Sequence, residues 1–316
     1  MTTADLLLGL ARTNVTASVA ILLALALRVP VRRGFGAHVA YSLWLLAPAA
    51  ALGSLMPAAD WSGWPGPVAV AGDASRAWLG ETGRAGDLAA LWLAGFAANA
   101  ALALWRQRRF EAAARAGRAG PAAMGVIEPR IVVPADFAQR FSDEERRLIR
   151  AHEKAHVDRQ DARHNALAVV AVWCCWFNPL AHLALAAFRR DQELACDATV
   201  MQRLPKSRRA YAETMLRTQP ASKIAVFGCH WLAASHPLQA RLEMLARRSP
   251  CRSQREFGLV AIATLCAAAF AAAWTAQPPA RLPTVQTVIL IDLSPPDPQE
   301  TAWVYRALSA TPNRAR

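Results

Sequence analysis

The sequence predicts a mainly α-helical integral membrane protein: four transmembrane helices, with an α+β domain on the cytoplasmic side between the third and the fourth. Three observations lead there. Hydrophobic residues make up 54% of the chain and charged residues only 19%, and the apolar residues gather in uncharged blocks of spanning length, which a soluble core does not need. Basic residues cluster at alternate ends of these blocks. Between the third and fourth blocks lies a charged, helix-compatible segment with paired histidines.

The first span covers about residues 6–27. Its uninterrupted apolar part is Val15 to Leu27, so the span includes Arg12, which must sit near an interface and snorkel. Asp5, rather than a basic cluster, precedes the apolar run, which argues for a retained span over a cleavable signal peptide. The second span is Ala37 to Met56, the third Leu88 to Trp105 and the fourth Phe257 to Ala276. The expected organisation is a three-span membrane region over 1–105, a domain over 106–256, the last span, and a short external tail over 277–316.

Arg28, Arg32 and Arg33 follow the first span; Arg106, Arg108, Arg109, Arg115 and Arg118 follow the third; Arg247, Arg248, Arg252 and Arg255 precede the fourth. By the positive-inside rule these junctions face the cytoplasm. The loop 57–87 carries Asp60, Asp73, Glu81 and Asp87 against Arg76 and Arg84, and belongs outside. The net charge of +13 is thereby explained without nucleic-acid binding. Cys174, Cys175, Cys196, Cys229 and Cys251 fall in the cytoplasmic part and Cys266 in the last span, as expected of reduced thiols. No C-x-x-C pair suggests a cysteine metal site, and the Cys174–Cys175 pair reads as core.

From Ser142 the chain reads SDEERRLIRAHEKAHVDRQDARH. Ser142 and Glu145 have capping-box spacing, so a helix starts there. Leu148, His152 and His156 recur every four residues and share a face. His152-Glu153-x-x-His156 is therefore an H-E-x-x-H motif, with two imidazoles aimed at one zinc ion and Glu153 as general base toward water. Further on, RRDQELACD holds Glu193 and Asp197 four apart on one helix face. Glu193 can complete a two-histidine, one-carboxylate zinc site. Asp197 can accept the second ring N–H of a ligating histidine.

Between these segments, Asn165 to Phe188 carries no formal charge. Crossing the membrane there would separate Glu193 from His152 and His156, and Asn178-Pro179 divides the run into pieces too short to span. It reads as buried helical core or as a shallow re-entrant element packed on the spans.

AHEKAHVDRQDARHN, WFNPLAH and RRDQELACDATV, in that order, with GVIEPRIVVPADF before and HPLQARLEML after, resemble the BlaR/MecR-type membrane metallopeptidases. The resemblance covers roughly residues 1–255. It implies a bacterial cytoplasmic-membrane protein with a cytoplasmic, gluzincin-like zinc peptidase domain. His152, His156 and Glu193 would be ligands to one Zn2+ and Glu153 the catalytic base. Asp197 and Asp161 would support the ligands from behind. Lys154 departs from the apolar residue expected there, and residues 277–316 contain no S-x-x-K serine, so no covalent penicillin-binding domain is expected in them.

Ile131-Val132-Val133, between Pro129 and Pro134, reads as a short strand, either lining the cleft or plain core. Tyr211, His230 and His236 are equal candidates for stabilising an oxyanion. Val285 to Leu293 is an apolar, β-prone segment that either docks an external sensor partner or lies in a passive tail. The expected function is hydrolysis of peptide bonds in a cytoplasmic protein, such as a transcriptional repressor, in regulated proteolysis or antirepressor signalling. The alternatives are a quality-control membrane protease and a catalytically idle signalling scaffold.

Overall fold

A computed structural model describes residues 2–57, 83–217, 229–230 and 238–277. Residues 58–82 of the loop 57–87 and the tail segment 285–293 singled out above, like His236, lie outside these residues. The chain is mainly helical. Helix α1 spans Thr3–Phe35, α2 Ala37–Ser42, a 3-10 turn Leu43–Leu45, α3 Leu46–Leu55 and α4 Ala85–Arg115. Strands β1 (Ala122–Met124) and β2 (Arg130–Val132) follow, then α5 (Phe137–Arg140), α6 (Asp143–Asp158), α7 (Asp161–Cys174), α8 (Pro179–Arg203) and α9 (Arg208–Arg217). Strand β3 (Cys229–His230), α10 (Leu238–Ala246) and α11 (Arg252–Thr275) complete the described part.

Among the described residues, four helical stretches are long and apolar enough to cross a membrane: α1, α2 through α3, α4 and α11. Two exceed their apolar blocks. Helix α1 runs to Phe35 and α4 to Arg115, because residues such as Arg, Gln and Ala continue a helix once it has started. The second stretch is broken by the 3-10 turn. At one end of the group, Arg12 donates to Gln277 Oε1 at 3.2 Å, and Gln277 Nε2 donates to the Gly53 carbonyl at 2.8 Å. Arg12 is thus level with the ends of α3 and α11.

The strand read at Ile131 forms as β2 and is an edge among the described strands. The sheet order is β2-β1-β3, antiparallel throughout, and Ile131 is exposed. The buried central strand is β1, whose run Ala122-Ala123-Met124 carries weak strand propensity and no alternation.

The uncharged run 165–188 divides where Asn178-Pro179 stands. Asn178 Oδ1 accepts from the Leu180 amide at 2.9 Å, and Pro179 starts α8, where its missing N–H costs nothing. Helices α7 and α8 form a hairpin whose tip lies along α1 and α4. Asn178 Nδ2 donates to Asn14 Oδ1 and Ser18 Oγ, each at 2.8 Å; Trp92 donates to the Cys174 carbonyl at 2.8 Å. The hairpin buries one face, through Val169, Val172, Ala184 and Ala187, and exposes the other. Leu167 is 71% exposed, Phe177 49% and Leu183 48%, and Cys174 and Cys175 are half-buried free thiols. A core forms instead beneath α6, α8, α9 and α10, around Leu148, Ile149, Val200, Tyr211 and Met215.

Candidate metal-dependent active site

Helix α6 starts as its sequence requires. Ser142 Oγ accepts from the Glu145 amide at 3.3 Å, and Glu145 Oε2 accepts from the Ser142 amide at 2.9 Å. The helix then turns Leu148, His152, Glu153 and His156 inward, all essentially without solvent exposure. Lys154 points to solvent and donates to Asp158 at 3.2 Å, which is why a cation fits within the motif. Helix α8 crosses this face with Glu193 buried.

The two Nε2 atoms of His152 and His156 stand 3.0 Å apart. Glu193 Oε2 lies 3.4 Å from His152 Nε2 and its Oε1 3.5 Å from His156 Nε2. Donors bound at about 2.0–2.2 Å around a tetrahedral ion are separated by roughly 3.3–3.6 Å, so the two histidine–glutamate distances fit such an ion and the two Nε2 atoms stand somewhat closer than it would hold them. Neither Glu153 oxygen, nor Glu193 Oε2, takes a hydrogen bond although each is buried. Unpaired buried carboxylate oxygens are costly, and a cation together with a polarised water would satisfy them.

The ring faces turned away from Glu193 are held in turn. His156 Nδ1 is 2.7 Å from Asp161 Oδ2. Asp161 reaches it because Gln160 adopts a left-handed φ of 58° and breaks α6 from α7 sharply; Arg159 then donates to both Asp161 oxygens. His152 Nδ1 is 2.8 Å from the Tyr211 hydroxyl, which donates to Asp197 Oδ1 at 2.7 Å. Asp197 itself is 3.4 Å from His152 Nδ1, so its support for His152 passes mainly through Tyr211. Tyr211 therefore stands behind a candidate ligand rather than beside the open side of the site. The side chain of His230 is outside the described set.

The carboxyl groups of the site are buried among bases. Burial pushes the Glu153 carboxyl up, against His152, His156 and the nearby Ala123 amide of β1. Burial opposes ionisation of Glu193 too, yet His156, His152 and Arg241 hold it down at about 2. Asp161 and Asp197 are likewise held well below the usual carboxylate range, the one by His156, His164 and Arg159, the other by Arg241 and His152, in each case against burial.

A thiol also comes close. His152, His156 and Cys196 have potential ligand atoms within 4.8 Å of one another. Cys196 Sγ, however, is 3.6 Å from His152 Nδ1 and 3.4 Å from the His152 carbonyl. Nδ1 is the edge already taken by Tyr211, whereas both Nε2 atoms converge on Glu193. The carboxylate is the better third donor on this geometry.

The family model described as BlaR1 peptidase M56 matches residues 77–245, more than half of the chain and all of this constellation. The chain belongs to this family. It is 31% identical over 98 residues to the methicillin resistance mecR1 protein of Staphylococcus aureus, a stretch covering 31% of this chain and 17% of that protein. The mecR1 protein of Staphylococcus epidermidis matches to the same extent. The regulatory protein BlaR1 of Bacillus licheniformis is 32% identical over 98 residues, 31% of this chain and 16% of its own length. The chain thus matches about one sixth of the length of these curated relatives. No solved structure matches it.

Within this member of the peptidase family, two buried groups escaped the sequence reading. Arg241 is 2% exposed and grips Asp197 through Nε to Oδ2 at 2.8 Å and a terminal nitrogen to Oδ1 at 2.7 Å, with another 3.7 Å from Glu193 Oε2. Gln192 donates to the Tyr41 hydroxyl at 3.1 Å and toward the Asp161 carbonyl at 3.4 Å. An arginine in an apolar, helix-forming stretch, as in HPLQARLEML, was the available signal for the first. Gln192 offered none.

Proposed function

We propose that this chain is a membrane-embedded zinc endopeptidase that cleaves a cytoplasmic protein in regulated proteolysis or antirepressor signalling. The observation carrying this reading is the buried convergence of both Nε2 atoms with Glu193, beside a Glu153 carboxylate that has no hydrogen bond. His152, His156 and Glu193 would hold the ion. When bound, zinc supplies Lewis acidity, which polarises a peptide carbonyl and makes water acidic enough to deprotonate near neutral pH.

The protein's own groups do the rest. Glu153 takes a proton from the attacking water on its carboxylate and returns it to the departing amine nitrogen. Asp161 fixes the His156 tautomer by accepting from Nδ1, and the Tyr211–Asp197–Arg241 chain orients His152. The surrounding core excludes bulk water, which strengthens each of these interactions.

The positive junctions around 28–33, 106–118 and 247–255 support a cytoplasmic site. The exposed apolar face of the α7–α8 hairpin supports its lying among the spans, re-entrant from that side. On this topology α8 runs from the membrane hairpin directly into the site, so events in the membrane have a rigid route to Glu193. A transcriptional repressor is the proposed substrate class, in keeping with the printed description of the Bacillus relative as a regulatory protein.

The test compares protein N-termini in cells carrying the native chain with those carrying Glu153→Gln. New cytoplasmic N-termini that need Glu153 are expected; identical profiles under every inducing condition would remove the peptidase reading.

A further inference from the structure

A cavity of about 490 Å³ lies along α8 beside the candidate metal site, with Asp197 common to both. Its rim holds five arginines: Arg32, Arg33, Arg208, Arg247 and Arg248. Among the described residues the only acid lining it is Asp197, which Arg241 already neutralises through two hydrogen bonds. Arg32 is committed to Asp191, and Arg208 donates to the carbonyls of Leu245 and Arg247. Arg33, Arg247 and Arg248 are exposed and have no ion-pair partner among the described residues. The cavity therefore presents a surplus of positive charge. Its floor is apolar, formed in part by Leu194, Met201 and Met244.

Its position is as specific as its charge. The walls are the end of α1, from Arg32 to Gly36, and the start of α11, at Cys251 and Gln254, so it opens where two candidate spans meet the protein domain. Phe35 and Phe257 meet in a tilted pair with ring centroids 6.0 Å apart at this level. Gly36 permits the closure: its φ is +93°, and a Cβ there would stand 2.7 Å from the Pro250 ring. A basic rim over an apolar floor at the end of a helix bundle matches an amphiphile with an anionic head. Guanidinium groups are suited to phosphate because they offer paired donors in a planar fork, and basic pockets between spans are recurrent sites for anionic headgroups.

We propose that this cavity binds the phosphate headgroup of an anionic phospholipid. The arginines take the phosphodiester, and the glycerol and upper acyl carbons lie against Met201, Met244 and Leu194. Leu194 directly follows Glu193, and Asp197 both lines the cavity and supports His152 through Tyr211, so the bound lipid braces α8 beside the proposed metal ligands. The inference uses the proposed topology for one point only, that this rim faces a leaflet.

The test uses the full-length chain in detergent micelles and counts bound lipid by native mass spectrometry. The probes are dioleoylphosphatidylglycerol, dioleoylphosphatidylcholine and inorganic phosphate. The native chain should retain phosphatidylglycerol at least ~10-fold better than phosphatidylcholine, since each nearby arginine strengthens attraction to anionic lipid several-fold. The triple variant Arg33→Gln, Arg247→Gln, Arg248→Gln should lose this preference. A control triple variant on α4, Arg106→Gln, Arg109→Gln, Arg115→Gln, should keep it. Equal retention of the two lipids, or equal loss in both triple variants, would overturn the proposal. Displacement of the lipid by millimolar inorganic phosphate would make this a free-phosphate site and end the lipid assignment. Thermal unfolding midpoints near that of the native chain identify folded variants, and were the cavity triple variant unfolded, Arg247→Gln alone should still lower the preference several-fold. Glu153→Gln should bind lipid as the native chain does, so failure of the peptidase reading leaves this result intact.

Discussion

Arg28, on the first membrane helix, places Nε 2.9 Å from Oδ2 of Asp191, two residues before Glu193. Arg32 donates to Oδ1 at 3.2 Å and the Trp44 indole to Oδ2 at 2.9 Å. The Asp191 side chain is fully buried, while those of Arg28 and Arg32 remain 12% and 16% exposed. In Asp191-Gln192-Glu193, consecutive side chains therefore reach α1, α2 with Asp161, and the proposed metal.

Removing both arginines leaves a buried carboxylate with only an indole donor. Arg28→Met with Arg32→Met should lower stability by about 3–5 kcal/mol, read as a fall in the unfolding midpoint. Asp191→Asn should cost less, because the two arginines can still reach water. The reverse order would contradict this account of the cluster.

Metal and base should separate by mutation. Glu153→Gln keeps every proposed ligand, so bound zinc should persist while cleavage falls by ~10²–10⁴. Glu193→Ala should instead lower zinc content, measured by plasma emission on the purified chain. Unchanged zinc in Glu193→Ala would return Cys196 to consideration as the third donor.

Asp161→Asn and Tyr211→Phe each remove a support behind one imidazole. Each should weaken zinc affinity about 10–100-fold in competition with a chelator. Asp161→Asn should be the larger, since Asp161 meets Nδ1 at 2.7 Å and alone carries the charge on that side. In Tyr211→Phe, Asp197 remains 3.4 Å from His152 and can close in.

The metal-free protein should be acid-sensitive in a defined window. Glu193 lies at about 2 in the folded state against an ordinary value of 4.5. A lowered folded-state value stabilises above the unfolded one, so this contribution is present above pH 4.5 and is lost as pH falls toward 2. Unfolding midpoints of the chelated protein should decline across that range, and Glu193→Gln should flatten the decline.

The hairpin docks through one close approach. A Cβ on Gly95 would stand 2.1 Å from the Trp176 ring, and Trp176 also donates to the Trp92 carbonyl at 3.3 Å. Gly95→Val should therefore displace the α7–α8 tip at a cost of about 1–3 kcal/mol. Faster proteolysis within 174–179 would register the displacement; unaltered cleavage would mean that the tip is not seated there.

The sequence by itself determined what depends on local period and composition. Four apolar blocks announced four long helical stretches, because a backbone in lipid must satisfy its hydrogen bonds within itself. Ser142 and Glu145 announced the start of α6, and a spacing of four put His152 and His156 on one face. Proline and asparagine at 178–179 marked the break between α7 and α8. Tertiary structure alone decided whatever joins distant segments. It set Glu193 at 3.4–3.5 Å from both imidazoles, put Tyr211 between His152 and Asp197, and brought Arg241 onto Asp197 across 44 residues. It also laid an apolar hairpin along the spans where composition alone allowed a buried core. The reason is physical: a helix face is fixed by bonds four residues apart, whereas the partner of a buried charge is whichever opposite charge the packing of other helices delivers.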